Sequence, residues 1–390
     1  MKRTRFPGRP KLTRDAERLA RLALDLSESG SRIEDTWWET RMSELVGRLL
    51  ASGNDATLES ALDQLWSQQP RAYDHLMDMV EQHTESTTLE HRGAAQDLLL
   101  IAAPVLAWSR FAIPSATLSQ PVLDALRVQL QAHVLASGAR VGLADFLFSP
   151  DQLPAGYGKT LAFAERLWAA ALEGRELRVD PRELPEAQRF LSDTRYLLAA
   201  VAVPRGAPVF RWQEDDGSRD EAAKAWAAQA TPTLQQALPG CVFEPVAPDA
   251  YYSAWRKADR LGRPFALASA VAFLRGSLNV EPSQLRAVVA PFHDRQLEEY
   301  RVGFTRREGN DVLYGVVWAL IGSEDETGDS VGEIRRVLAG TGVTQVVELE
   351  NHFPLEYCDD CGAPFFPSPE GEAVHAEMPE SAEPAPSHLH

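Results

Sequence analysis

The chain has 390 residues and a formal net charge of −17, from 39 Lys and Arg against 56 Asp and Glu. Apolar residues make up 44% and charged residues 24%, which excludes a collagen-like, wholly disordered or membrane-spanning chain. The three cysteines, Cys241, Cys358 and Cys361, are too few for a disulfide framework at this size. The longest apolar run, Leu98 to Trp108, is broken by Pro104 and falls well short of the roughly 20 residues a spanning helix needs. The basic N-terminus has no apolar stretch behind it, so a secretory leader is not expected. The expectation is a soluble protein of the bacterial cytoplasm, two or three domains long, with no membrane partner.

Charge is unevenly placed. Residues 1–21 sum to +6, which leaves −23 for the rest. An acidic body argues against a broad nucleic-acid-binding face, because phosphate contacts need clustered Lys and Arg. The arm over residues 1–12 is the exception. It carries Arg5, Arg9 and Lys11 around Gly8-Arg9-Pro10, which resembles the minor-groove core of an AT-hook, although Pro7 stands where that core has Arg.

From residue 13 to 195 helical spacing dominates and predicts an all-α domain. Leu19, Leu22, Ala23 and Leu26 recur at i, i+3, i+4 and i+7. Trp38, Met42, Leu45, Val46 and Leu49 repeat the pattern, as do Leu58, Ala61, Leu62, Leu65 and Trp66. Ser31 with Glu34, and Thr87 with Glu90, have capping-box spacing. The nine tryptophans read mostly as packing, with Trp37, Trp38, Trp66, Trp108 and Trp168 at core-facing positions.

The pattern changes near Tyr196. The span 196–365 predicts an α+β domain with a mostly antiparallel sheet and helices on one face. Strands are expected over 197–203, 209–212, 241–246, 285–292, 300–304, 312–321 and 343–349. Helices are expected over 219–238, 249–261, 264–278 and 330–339. Residues 366–390 are rich in Pro and Glu without a basic residue, and read as a disordered acidic tail.

The sharpest chemical signal is Cys358-Asp359-Asp360-Cys361-Gly362. Two thiols across a tight turn can face one ion, the geometry of a zinc knuckle. Tetrahedral zinc needs two further ligands. His375, fourteen residues beyond Cys361, and His352, six before Cys358, are the candidates, with Cys241 a third only if the fold brings it near. A turn with two free thiols and a redox dithiol are the alternatives. The Asp-Asp spacer should raise the thiol pKa and so disfavours the redox use.

Two other patterns invite functional readings. Gly328-Asp329-Ser330-Val331-Gly332 matches a nucleophile elbow and would make Ser330 a hydrolase nucleophile. No strand runs straight into it, and Ser330 with Glu333 has capping spacing, so a helix cap is the better reading. Gly156-Tyr157-Gly158-Lys159-Thr160 resembles part of a phosphate loop, but lacks the first glycine and a preceding strand. The acidic stretch Glu324, Asp325, Glu326 and Asp329 lacks the alternating spacing of a calcium loop.

The start, Gly8-Arg9-Pro10-Lys11-Leu12-Thr13-Arg14-Asp15-Ala16-Glu17-Arg18-Leu19, and the end, Tyr357-Cys358-Asp359-Asp360-Cys361-Gly362-Ala363-Pro364 with Val374-His375-Ala376-Glu377, resemble an uncharacterised bacterial family of unknown function, number 2863. The resemblance covers nearly the whole chain and implies one architecture but no activity. The leading expectation is a non-enzymatic binding or regulatory protein with a protein partner and a structural zinc at Cys358, Cys361, His375 and His352. Weak nucleic-acid association through Arg5, Arg9 and Lys11 is the alternative, and a hydrolase using Ser330 is a more distant one.

Overall fold

In a computed structural model, residues 12–378 are described, apart from 67–68, 188–190, 215–216, 295, 322–323 and 325–326. Helical periodicity governs the first stretch. Thr13 caps α1 (Arg14–Ser27) by accepting the Ala16 N–H at 3.1 Å. Ser31 caps α2 (Arg32–Ala51) by accepting the Glu34 N–H, while the Glu34 carboxylate accepts the Gly30 N–H. With α3 (Asp55–Trp66) and α4 (Pro70–Glu85) these helices close a core of their own around Leu19, Met42, Leu62 and Leu76. Trp37 and Trp66, expected inside, are exposed. Arg41 lies over the Trp37 ring, and Trp66 packs edge-on against Tyr73.

The first half is not all-α. The stretch predicted to start a helix at Thr87 is instead strand β1 (Ser86–His91). Arg92 and Gly93, both at positive φ, turn it into β2 (Ala94–Trp108). The eleven-residue apolar run is the centre of that strand. Its residues alternate between two cores, with Ile101, Ala103, Val105 and Ala107 on one face and Leu98, Leu100 and Ala102 on the other. A strand buried on both faces shows no polar alternation, and this run therefore shows no period-two signature in sequence.

After α5 (Gln120–His133), β3 (Arg140–Phe148) and α6 (Tyr157–Glu173), strand β4 (Ser192–Pro204) inserts between β2 and β3. The order is β1-β2-β4-β3, and every pairing is antiparallel. A domain boundary at residue 195 would cut β4 in two. Helix α7 (Arg219–Ala237) packs with α5 on one face. Short strands β5 (Val242–Pro245) and β6 (Asp249–Ala250) then extend β2's pairing. Helix α6 and the start of α8 (Tyr251–Leu278) cover the other face. Helices therefore lie on both faces of this sheet, not one.

The two helices expected at 249–261 and 264–278 are one, running through Pro264. The Arg263 side chain braces that point. It donates to the Ala319 carbonyl and to Glu324, and lies over the Trp318 ring. The first turns of α8 are pinned to α4 by two carboxylates one turn apart. Glu81 pairs with Arg256, and Glu85 accepts the Tyr252 N–H at 3.0 Å.

Burial pushes the Glu85 carboxyl up from about 4.5 to about 7. The folded state thus holds this proton more tightly than the unfolded chain does. Its stabilising contribution is full below the unfolded value and is lost as pH rises through about 7. Glu85→Gln keeps an acceptor for Tyr252 and removes the ionisation. Thermal melts should show the variant more stable than the parent at about pH 8, by on the order of 1–3 kcal/mol, and nearly matched to it at about pH 4, below the unfolded value. An equal difference at both values would contradict this.

The second sheet follows the expected β-β-β-α-β order. Strands β7 (Leu285–His293), β8 (Leu297–Arg306) and β9 (Tyr314–Ala319) form an antiparallel meander. Helix α9 (Ser330–Thr341) then returns the chain to β10 (Gln345–Glu348), parallel to β7, and β11 (Phe353–Pro354) pairs with β7 further along. The second half of α8 and α9 cover one face.

The other face is covered by the segment read as tail. Strands β12 (Phe366–Pro367) and β13 (Ala373–Val374) form a small hairpin, with Phe366 and Ser368 buried. The Glu377 N–H donates to the Val312 carbonyl. A disordered tail from residue 366 is therefore not what the structure shows through Met378, while 379–390 lie outside the described residues. Polar composition hid a few large apolar anchors.

Two glycines admit that segment. Gly303 in β8 and Gly315 in β9 are direct cross-strand partners. A Cβ on Gly303 would run into the Pro367 carbonyl, and one on Gly315 into the Phe366 ring. Gly315→Ala should cost about 1–3 kcal/mol in chemical denaturation and speed amide exchange across 366–378. Unchanged exchange there would contradict the docking.

Candidate metal centre

The knuckle is built on the edge of that docked segment. Tyr357 and Pro364 form an antiparallel bridge that closes a tight loop. Within it Cys358 N–H donates to Ala363 O, and Gly362 N–H donates to Cys358 O, both at 2.8 Å. Gly362 takes φ +73°, a left-handed conformation that glycine adopts without steric cost. The β12–β13 hairpin then carries His375 back over the loop. Its Nε2 lies 3.3 Å from the Cys361 sulfur. The ligand atoms of Cys358, Cys361 and His375 all fall within 4.8 Å of one another. Three donors converging in that space suit an ion with soft sulfur and imidazole preferences.

Cys361 is exposed, and Cys358 and His375 are half-buried. Backbone N–H groups of Cys361 and Asp360, and the Cys361 side chain, hold the Cys358 thiol below its ordinary value. The Asp360 carboxylate opposes them with a smaller effect. The expectation that the Asp-Asp spacer raises this thiol is therefore reversed: the turn's amides, that of Cys361 first, outweigh the Asp360 charge. On the outer side, His375 Nδ1 lies 3.9 Å from the Glu377 carboxylate, too far for a direct hydrogen bond. No fourth His, Cys or carboxylate among the described residues joins the group.

Arg301 ties the knuckle to the sheet. Its side chain is fully buried. Nη1 donates to the carbonyls of Glu356 and Phe365, both at 2.8 Å, just outside the two ends of the loop. Nε donates to Glu299 at 2.6 Å. The guanidinium is stacked between the Phe292 and Tyr357 rings, at 4.2 and 5.0 Å. The strand expected over 300–304 carries no sign by itself that Arg301 is buried. The readable signal was Gly303, an isolated glycine in a strand, which marks close approach of another backbone.

The remaining candidates fall elsewhere. His352 does not join the cysteines; its Nδ1 lies 3.1 Å from His293 Nε2. Cys241 sits in the core under the first sheet, where burial pushes its thiol up. Arg5, Arg9 and Lys11 lie outside the described residues. Ser330 is buried in the first turn of α9, whose N-cap is Asp329 and not Ser330. Among the described residues no histidine is hydrogen-bonded to Ser330. The phosphate-loop-like stretch cradles an anion that the chain itself supplies: the Asp55 carboxylate accepts the Gly158 N–H with both oxygens at 3.1 Å.

No helix among the described residues is long and apolar enough to cross a membrane. Comparison with curated proteins and with solved structures gives no match. One family pattern does match, over residues 4–389, and the chain belongs to that family, described as protein of unknown function (DUF2863).

Proposed function

We propose that this chain is a non-enzymatic binding or regulatory protein whose C-terminal segment is fastened to the second sheet by a structural zinc ion. The carrying observation is the convergence of Cys358, Cys361 and His375 within 4.8 Å. Zinc suits the donor set because it accepts two thiolates and an imidazole without redox change. The ion would cross-link the knuckle to the strand that follows β12, so metal binding and docking of residues 356–378 become one event. The two catalytic-looking sequence patterns support the non-enzymatic reading, since Asp55 fills one and α9 absorbs the other.

Protein purified without chelator should carry about one zinc per chain by elemental analysis, and Cys358→Ser should lose it. Less than about 0.2 zinc per chain would overturn the reading, because a site of this kind fills tightly at neutral pH. A second reading rests on the charge asymmetry of the arm, +6 against an acidic body. It expects weak DNA or RNA binding that falls steeply with salt and disappears on deletion of residues 1–12.

A further inference from the structure

His293 and His352 come from different parts of the chain. His293 ends β7, and His352 immediately precedes β11, the short strand that pairs alongside β7's end. That pairing sets Pro354 opposite His293 and brings the two rings together, with centroids 4.3 Å apart and planes at 45°. His352 Nδ1 and His293 Nε2 lie 3.1 Å apart. His352 is exposed and His293 half-buried, so solvent reaches the gap.

We propose that His293 and His352 form a second metal site, separate from the cysteine knuckle, for a divalent ion that prefers imidazole: Cu²⁺ most strongly, then Ni²⁺ or Zn²⁺. Two nitrogens bound at about 2.0–2.1 Å lie about 2.9 Å apart at a right angle and about 3.4 Å apart at the tetrahedral angle. The observed 3.1 Å falls between those spans. The spacing therefore suits a shared ion, once each ring turns so that its lone pair points to the ion and no longer to the other nitrogen. The ion replaces an N–H···N hydrogen bond that can exist only while one of the two nitrogens carries a proton. No third His, Cys or carboxylate among the described residues closes on the pair. The bound ion would clip the start of β11 to the end of β7, upstream of the Arg301-held knuckle.

The test uses full-length protein with zinc already in the knuckle and the other C-terminal histidines, His388 and His390, replaced by alanine. Cu²⁺ is titrated in and followed by electron paramagnetic resonance. The expected result is one Cu²⁺ per chain with splitting from two imidazole nitrogens. His293→Ala or His352→Ala should each weaken binding at least about tenfold, the loss that removal of even an outer-shell partner brings. A parent spectrum without two-nitrogen splitting, or equal affinity in parent and variants, would overturn the proposal and leave the pair a hydrogen bond only. The zinc content of the knuckle is counted in the same samples, so failure of one site is distinguishable from failure of the other.

Discussion

Cys358→Ser is expected to release zinc and, with it, the C-terminal segment. Amide exchange over residues 356–378 should rise by orders of magnitude, while α1–α4 and the first sheet stay protected. The size of the effect follows from linkage. An ion that binds only the folded arrangement, at free concentration about 1,000 times its Kd, stabilises that arrangement by about 4 kcal/mol. Saturating chelator should reproduce the variant's behaviour in the parent protein. The segment docks on one face of the second sheet, while α8 and α9 close the core on the other, so the expected outcome is local opening and not global unfolding. Exchange confined to the loop 358–361, with 366–378 unchanged, would separate the metal from the docking and contradict this coupling.

Arg301→Ala is the second large effect. The substitution leaves the Glu299 carboxylate and the Glu356 and Phe365 carbonyls without their donor, and opens a gap between the Phe292 and Tyr357 rings. Breaking a buried charged network from one side costs about 3–5 kcal/mol, which chemical denaturation reads directly. Arg301→Lys keeps the charge and loses the planar fork that spans both carbonyls, so it should recover only part of the loss. Zinc affinity should fall in both variants, since Arg301 fixes the two ends of the loop that presents Cys358 and Cys361. A cost under about 1 kcal/mol for alanine would place Arg301 with ordinary surface pairs.

Much of this was legible in the residues. Helices α1 to α3 announce themselves through spacing that lands Leu19, Leu22, Met42, Leu45 and Leu62 in one core. The second sheet was legible because its strands are apolar or alternating runs bounded by turn residues. The first sheet was legible only in part: the apolar run 197–203 marks the heart of β4 and 241–246 marks β5, but β2 lies in the stretch read as all-α, because a strand apolar on both faces carries no alternation, and β4 begins before the point where a domain boundary was drawn. The hairpin signal sat in Arg92-Gly93, an unremarkable pair until its positive φ values are seen.

At the metal site the sequence carries Cys358, Cys361 and His375 in the open, because ligand spacing across a turn is a local property. His352 was the wrong fourth candidate for a non-local reason: the parallel pairing of β11 with β7 delivers it to His293. The docked segment was hidden by averaging. Five acidic residues from Phe366 onward dominate its composition, whereas a handful of positions decide its placement: Phe366 and Ser368 in the segment, and Gly303 and Gly315 in the strands beneath.

The central claim is that Cys358, Cys361 and His375 hold one zinc ion. X-ray absorption at the zinc edge, on full-length protein carrying one equivalent, tests it most directly. The account predicts two sulfur neighbours at about 2.3 Å and at least one imidazole nitrogen at about 2.0–2.1 Å. A shell of oxygen and nitrogen alone would contradict it.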